Sequence, residues 1–305
     1  MQCISPVKLL NPDYDPESFQ GISSSPYVFV PCGRCPACIM SYSQEWRIRL
    51  KEHDKVARNA FFVTLTYNDD NLPFSVSTNF YDDKVVCPSI SKVDVQKFLK
   101  RLRKSISEIT DDKSFKYYIV SEYGPTTLRP HYHGIFFDLP CFSKDSQIQR
   151  SQVCKLIDRS WNLGFVRVDP VTEGRISYVT KYISCITELP KEYTPPFRLI
   201  SKGLGANYLE SQSRKDWHRD HLACYYPDGN RKFRLPRYYK DKIFDDAMKY
   251  EIRLQGFERR VEQLEKDIQS AKEKGYDNFV ELRRDNWKRF ERNFKKKYVK
   301  GRKDI

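Results

Sequence analysis

Four short runs of β-branched and aromatic residues, two stretches of helical period between them, and the order strand, helix, strand, strand, helix, strand predict an α+β chain with a ferredoxin-like βαββαβ core and an antiparallel sheet. A Cys-rich element precedes the core and a helical extension follows it. The boundaries fall at 1–58 for the Cys-rich element and its helix, 59–240 for the core, and 241–305 for a basic helical hairpin or coiled-coil tail.

The first strand is Ala60 to Thr66, short, aromatic and β-branched, and Tyr67-Asn68-Asp69-Asp70-Asn71 after it is turn chemistry opening a long loop. Ser91-Lys92-Val93-Asp94 starts a helix, with a hydroxyl at the cap and an acid three residues on. Val95, Phe98, Leu99, Leu102 and Ile106 form its apolar face; Lys97, Lys100, Arg101, Arg103 and Lys104 around it suit solvent or phosphate. Phe115 to Glu122 is the second strand, Gly124-Pro125 turns the chain, and His131 to Phe137 returns as the third. A helix over Ser146 to Trp161 buries Val153, Leu156, Ile157 and Trp161, and Gly164 to Val168 is the fourth strand. A further helix, Thr172 to Ile183, buries Ile176, Val179 and Ile183; Tyr178 and Tyr182 share an adjoining face one turn apart.

Composition bounds the function. The 305 residues carry 54 Lys and Arg against 40 Asp and Glu, a formal net charge of +14, so a polyanion such as nucleic acid is the expected partner. With 14% aromatic residues the chain is too rich in core material to be disordered. No apolar run of transmembrane length and no secretion signal is visible, so the expected setting is cytoplasmic, without a membrane partner, and the nine cysteines are expected as thiols or metal ligands.

Cys3 and Cys32-Gly33-Arg34-Cys35-Pro36-Ala37-Cys38 can converge as four thiolates, with Gly33 and Pro36 supplying turns. Structural Zn2+ suits that set; an iron–sulfur cluster uses the same ligands, and buried thiols are the metal-less reading. From Ile39 an amphipathic helix runs through Tyr42, Trp46, Leu50 and His53.

The core carries its own candidate chemistry. In Arg129-Pro130-His131-Tyr132-His133-Gly134, strand alternation puts His131 and His133 on one face, where two imidazoles could grip one divalent ion. If the second and third strands pair, Glu122 comes beside them and leaves open positions on the ion. In isolation, a Tyr pair at i,i+4 is more often aromatic packing than chemistry, and Lys181 a solvated cation. His218 and His221 read as polar surface rather than ligands, and Gly203-Leu204-Gly205 carries no readable signal. Arg231 to Tyr239, with Arg234 and Arg237, mixes cations and aromatics, which suits phosphate contact and base stacking about as well as core aromatics flanked by solvated cations. In the tail, Leu254, Phe257, Val261, Leu264, Ile268 and Ala271 form a heptad stripe that Gly275 interrupts before a second amphipathic stretch.

In combination these motifs resemble the HUH endonucleases, and most closely the replication initiators of gokushovirus-like microviruses. The resemblance rests on Phe62-Val63-Thr64-Leu65-Thr66-Tyr67, Ser121-Glu122-Tyr123-Gly124 with Arg129-Pro130-His131-Tyr132-His133-Gly134, and Tyr178-Val179-Thr180-Lys181-Tyr182. Cys3, Pro31-Cys32-Gly33-Arg34-Cys35 and Leu235-Pro236-Arg237-Tyr238-Tyr239 extend it over roughly residues 1–240. It implies site-specific nicking and joining of single-stranded origin DNA to start rolling-circle replication. It also implies Mg2+ or Mn2+ on His131, His133 and Glu122, Tyr178 and Tyr182 as nucleophiles, and a 5′-phosphotyrosine product. Lys181 is the candidate activating cation, and Arg129, Arg234 and Arg237 are candidate DNA contacts. No phosphate-cradling Gly-rich loop with Lys is visible, so a host helicase and polymerase are expected partners in the host cytoplasm. The rival readings are a non-enzymatic zinc-containing DNA-binding protein and a relaxase or transposase of mobile DNA.

Overall fold

Pairing of the aromatic and β-branched runs, each too short and too apolar to stand alone, sets the architecture. The structure, a computed structural model, describes residues 3, 5–18, 24–78, 83–112, 114–124, 126–181 and 189–300, with side chains to 295. The chain divides into two compact units, one of Met1–Glu45 with Leu209–Ile305 and one of Trp46–Tyr208.

In chain order, β1 (Val7–Leu10) and β2 (Tyr27–Val30) pair antiparallel, and α1 (Pro36–Asp54) follows. Then come β3 (Ala60–Tyr67), β4 (Phe74–Thr78), β5 (Lys84–Pro88), α2 (Lys92–Ser107), β6 (Lys116–Tyr123), β7 (Pro130–Phe137), α3 (Ser146–Trp161), β8 (Gly164–Pro170), α4 (Glu173–Lys181) and β9 (Arg198–Ile200). The five strands β8-β3-β7-β6-β9 form one sheet in that order, every pairing antiparallel. This is an α+β protein with antiparallel sheets, as expected. The long loop expected after the first strand is instead partly ordered: β4 and β5 pair as a hairpin. Its short strands alternate apolar residues with Ser, a pattern easily taken for loop.

One face of the sheet is the core. Val63, Leu65, Tyr67, Ile119, Tyr132, Phe136 and Val168 pack there against α2 and α3. The residues expected to be buried on α2, Val95, Phe98, Leu99, Leu102 and Ile106, are all buried, and Ser91 accepts the Asp94 amide at 3.2 Å as the helix cap. Trp161 is fully buried and donates its indole N–H to the Thr66 carbonyl at 3.1 Å. Each large side chain so buried contributes about 1.5–3 kcal/mol by area. Tyr132 joins the core to the α2 cap: its hydroxyl lies 2.9 Å from that of Tyr67 and accepts the Ser91 amide at 2.7 Å.

Alternation turns Phe62, Thr64, Thr66, His131, His133, Glu122, Phe165 and Arg167 to the opposite face. Part of that face is covered by α1, with Trp46 on Tyr118 and the His53 ring edge-on to Phe137. Gly205 explains its otherwise unreadable tripeptide: at φ +73° its α-carbon sits so close to α1 that a Cβ would lie 2.4 Å from the Arg49 carbonyl. The Arg49 guanidinium in turn donates to the Leu204 carbonyl at 2.7 Å.

The other unit contains β1, β2, α5 (Gln212–Asp220), the hairpin β10 (Tyr225–Asp228) and β11 (Arg231–Arg234), α6 (Arg237–Ile243), α7 (Asp246–Glu273) and α8 (Phe279–Lys300). Leu235, Tyr239, Ile243 and Phe244 are buried within it. His218 corrects the sequence reading: it is fully buried, with Nδ1 2.6 Å from the Ala223 carbonyl, whereas His221 is exposed beside Trp217. Its i,i+3 neighbour gave no hint that a helix of only nine residues would pack one of the two inward. Helices α7 and α8 lie against each other, with Arg283 on Asp267 at 2.9 Å and Ala271 and Leu282 buried, while Val261 and Ile268 of the heptad stripe remain exposed. No described helix is long and apolar enough to cross a membrane.

Candidate active site

The β6–β7 ladder sets Glu122 directly opposite His131 and Val120 opposite His133, while β3 sets Thr66 and Thr64 opposite the same two histidines. The expected pairing of Glu122 with the His strand is therefore in register. His133 Nε2 lies 3.3 Å from Glu122 Oε2, and both side chains are about nine-tenths buried. Glu122 Oε2 makes no hydrogen bond of good geometry at that distance. The imidazole planes are 4° from parallel, with centroids 6.4 Å apart.

Each imidazole is held from behind. His131 Nδ1 lies 2.8 Å from the Arg129 carbonyl, which can only accept, so Nδ1 carries the proton and Nε2 keeps its lone pair. His133 Nδ1 lies 3.0 Å from Thr64 Oγ1. With the hydroxyl as acceptor, the same tautomer follows there. Anchoring one ring nitrogen to orient the other is the usual support of a metal-ligating histidine. Burial, with His133 nearby, holds the His131 pKa below the ordinary imidazole value, which favours the neutral ligand form. These residues fit a divalent cation in donor chemistry, an acceptor-only carboxylate oxygen left unsatisfied beside two imidazoles. The set is open: its donor atoms are less tightly gathered than those of the cysteines below.

Tyr178 stands on α4 with its ring edge-on to His133 at 5.3 Å and to Phe62 at 6.0 Å. Phe62 in turn stacks on His133, centroids 5.7 Å apart. Ile176 and Val179 are buried as expected. Lys181 ends the helix, half-buried, and Tyr182 and Ile183 lie outside the described residues. Thr64 and Phe62 were not singled out from the sequence. Their signal was there: Thr64 and Thr66 are hydroxyls at alternate positions of an otherwise apolar strand.

Of the candidate DNA contacts, Arg129 spans Asp69 Oδ1 at 2.7 Å and the Tyr67 carbonyl at 2.8 Å, tying the His-bearing strand to the end of β3. Arg234 and Arg237 are exposed in the other unit, Arg237 3.5 Å from Asp241.

In that unit the sulfurs of Cys3, Cys32, Cys35 and Cys38 lie within 4.8 Å of one another. Cys35 Sγ is 3.7 Å from Cys3 and 3.5 Å from Cys38, and Cys32 is 4.0 Å from Cys38. A tetrahedron with metal–sulfur bonds of about 2.3 Å has edges of about 3.8 Å, so the quartet can hold a metal such as zinc. The amides of Arg34 and Cys35 donate to Cys32 Sγ and lower its pKa to about 6, while burial pushes the Cys38 thiol up to about 12.

Residues 60–186, which carry this face of the sheet and α4, match the family model of replication-associated protein ORF2. The class is that of replication-associated proteins, as the motif resemblance implied. Particular relatives come from small phages. The chain is 28% identical over 225 residues to replication-associated protein ORF2 of Spiroplasma virus 4, covering 70% of this chain and 67% of that protein. It is 25% identical over 257 residues to replication-associated protein VP4 of Bdellovibrio phage phiMH2K, covering 79% and 76%. It is 24% identical over 231 residues to replication-associated protein ORF4 of Chlamydia phage 1, covering 70% of this chain but 53% of that one. No solved structure matches.

Proposed function

We propose that this protein is a phage replication initiator that nicks and rejoins one DNA strand through a tyrosine, with His131, His133 and Glu122 holding Mg2+ or Mn2+. The register of Glu122 opposite His131, with Tyr178 against His133, carries the reading. The strand order β8-β3-β7-β6 supports a ferredoxin-like core: it is the fourth, first, third and second strand of the βαββαβ run. A cation on these ligands supplies polarisation of the scissile phosphate and neutralisation of its charge.

The chain's own residues do the rest. The Tyr178 oxygen attacks phosphorus, an O–P bond forms and the bond to the 3′-oxygen breaks. The phenol loses a proton and the departing 3′-oxygen gains one, leaving a 5′-phosphotyrosine and a 3′-hydroxyl. A phosphodiester is exchanged for a phosphodiester, so a second attack rejoins ends without ATP. Tyr182 is the second nucleophile on this reading and Lys181 the cation beside the phenols. The proposed division of labour is a cysteine-bound metal element in 1–58, nicking in 59–240 and a helical extension in 241–305, with Arg129, Arg234 and Arg237 meeting DNA. A host helicase and polymerase would act with it in the host cytoplasm.

The test is incubation of the purified protein with single-stranded oligonucleotides tiling the cognate genome, with and without Mn2+. A covalent protein–DNA product that disappears in His131→Ala and in the Tyr178→Phe/Tyr182→Phe double variant is expected. Site-dependent binding without cleavage across metals and substrates would favour the binding-module reading.

A further inference from the structure

The strand at the edge of the sheet places two unlike side chains on the candidate site's face. In one row across the sheet, Phe165 of β8 faces Thr66, which faces His131, which faces Glu122. In the next, Arg167 faces Thr64, which faces His133. At about 4.8 Å per strand, Phe165 and Arg167 stand about 10 Å from the two histidines.

Phe165 is 69% exposed, although its neighbours Val166 and Val168 pack into the core. An aromatic ring so open on an edge strand gains little from folding. Arg167 is also exposed, its guanidinium 2.8 Å from Asp169. Asp169 is buried and is met by Arg150 at 3.3 Å and Arg175 at 3.4 Å as well, one carboxylate for three guanidiniums. The patch thus keeps a net positive charge of two, and Arg175 also lies over the Phe62 ring that touches Tyr178. Asp169 fixes the cations without neutralising them.

We propose that Phe165 and Arg167 form a nucleotide-holding subsite for single-stranded DNA, Phe165 stacking on an unpaired base and Arg167 meeting a neighbouring phosphate. The subsite would align the strand so that the scissile phosphate falls on the histidine row beside Tyr178. It rests on the nicking reading for its purpose, but not for its test. Stacking on an aromatic is indifferent to base identity, so the subsite would hold DNA rather than choose the sequence.

The probes are labelled oligo(dT) and an abasic sugar-phosphate chain of equal length, titrated in metal-free buffer against the full chain, with folding of each variant checked by circular dichroism. The wild type should bind oligo(dT) more tightly than the abasic chain. Phe165→Ala and Phe165→Leu should weaken oligo(dT) binding by about 5-fold to on the order of 100-fold and leave the abasic chain unchanged, while Phe165→Trp retains the difference. Arg167→Gln should weaken both probes alike and reduce the salt slope of binding by about one. Equal binding of oligo(dT) by wild type and Phe165→Ala overturns the subsite, even if the covalent assay succeeds. If Phe165 governs oligo(dT) binding but no covalent product forms under any metal, the subsite stands and the nicking reading fails.

Discussion

Glu122 faces His131 across a single ladder step, and its Oε2 atom, buried and without a well-formed hydrogen bond, lies 3.3 Å from His133 Nε2. Leaving a carboxylate oxygen so placed costs stability unless something positive fills the gap. On the proposed reading, Glu122→Gln, His131→Ala and His133→Ala should each lower the rate of covalent adduct formation by about 100-fold or more. DNA binding measured by anisotropy in metal-free buffer should change far less, and loss of binding in step with cleavage would count against a metal role.

Thr64 orients His133 through Nδ1. Thr64→Val keeps the shape and removes the hydroxyl, so the proposed metal affinity should fall about 10- to 100-fold. The measurement is the Mn2+ concentration for half-maximal adduct: it should rise, with the rate at saturating Mn2+ largely recovered. A variant with an unchanged Mn2+ requirement would remove Thr64 from the site's support.

The cysteine quartet should contain one metal per chain when the protein is prepared without chelator. Elemental analysis identifies the metal, zinc giving no visible absorbance and an iron–sulfur cluster a coloured protein. Cys35→Ser should lower both metal content and melting temperature, because a structural metal contributes its binding energy to folding. Full stability in metal-free protein would leave the four thiols as packing alone.

His218 and His53 are both buried, and burial lowers the pKa of each below the ordinary imidazole value of about 6.5. In the unfolded chain they protonate near that value; in the folded chain they resist. Below about pH 6.5 the unfolded state therefore binds protons that the folded state does not, and stability falls as pH drops toward the folded-state values. The urea midpoint should be lower at pH 5.5 than at pH 7.5, and His218→Gln should reduce that difference without abolishing it.

Much of this was legible in the linear chain because it depends on local period. The alternation of His131 and His133, the apolar face of α2, its Ser91 cap and the buried residues of α3 all follow from the spacing of side chains along one element. The order of elements was enough to anticipate an antiparallel sheet, and the close run of cysteines with a distant Cys3 was enough to anticipate the quartet. What no periodicity carries is which residue stands across a ladder, because register comes from strands far apart in sequence packing one shared face. Only the tertiary structure decided that Thr64 backs His133, that Asp169 gathers Arg150, Arg167 and Arg175, that His218 turns inward, and that an exposed Phe165 shares the histidines' face.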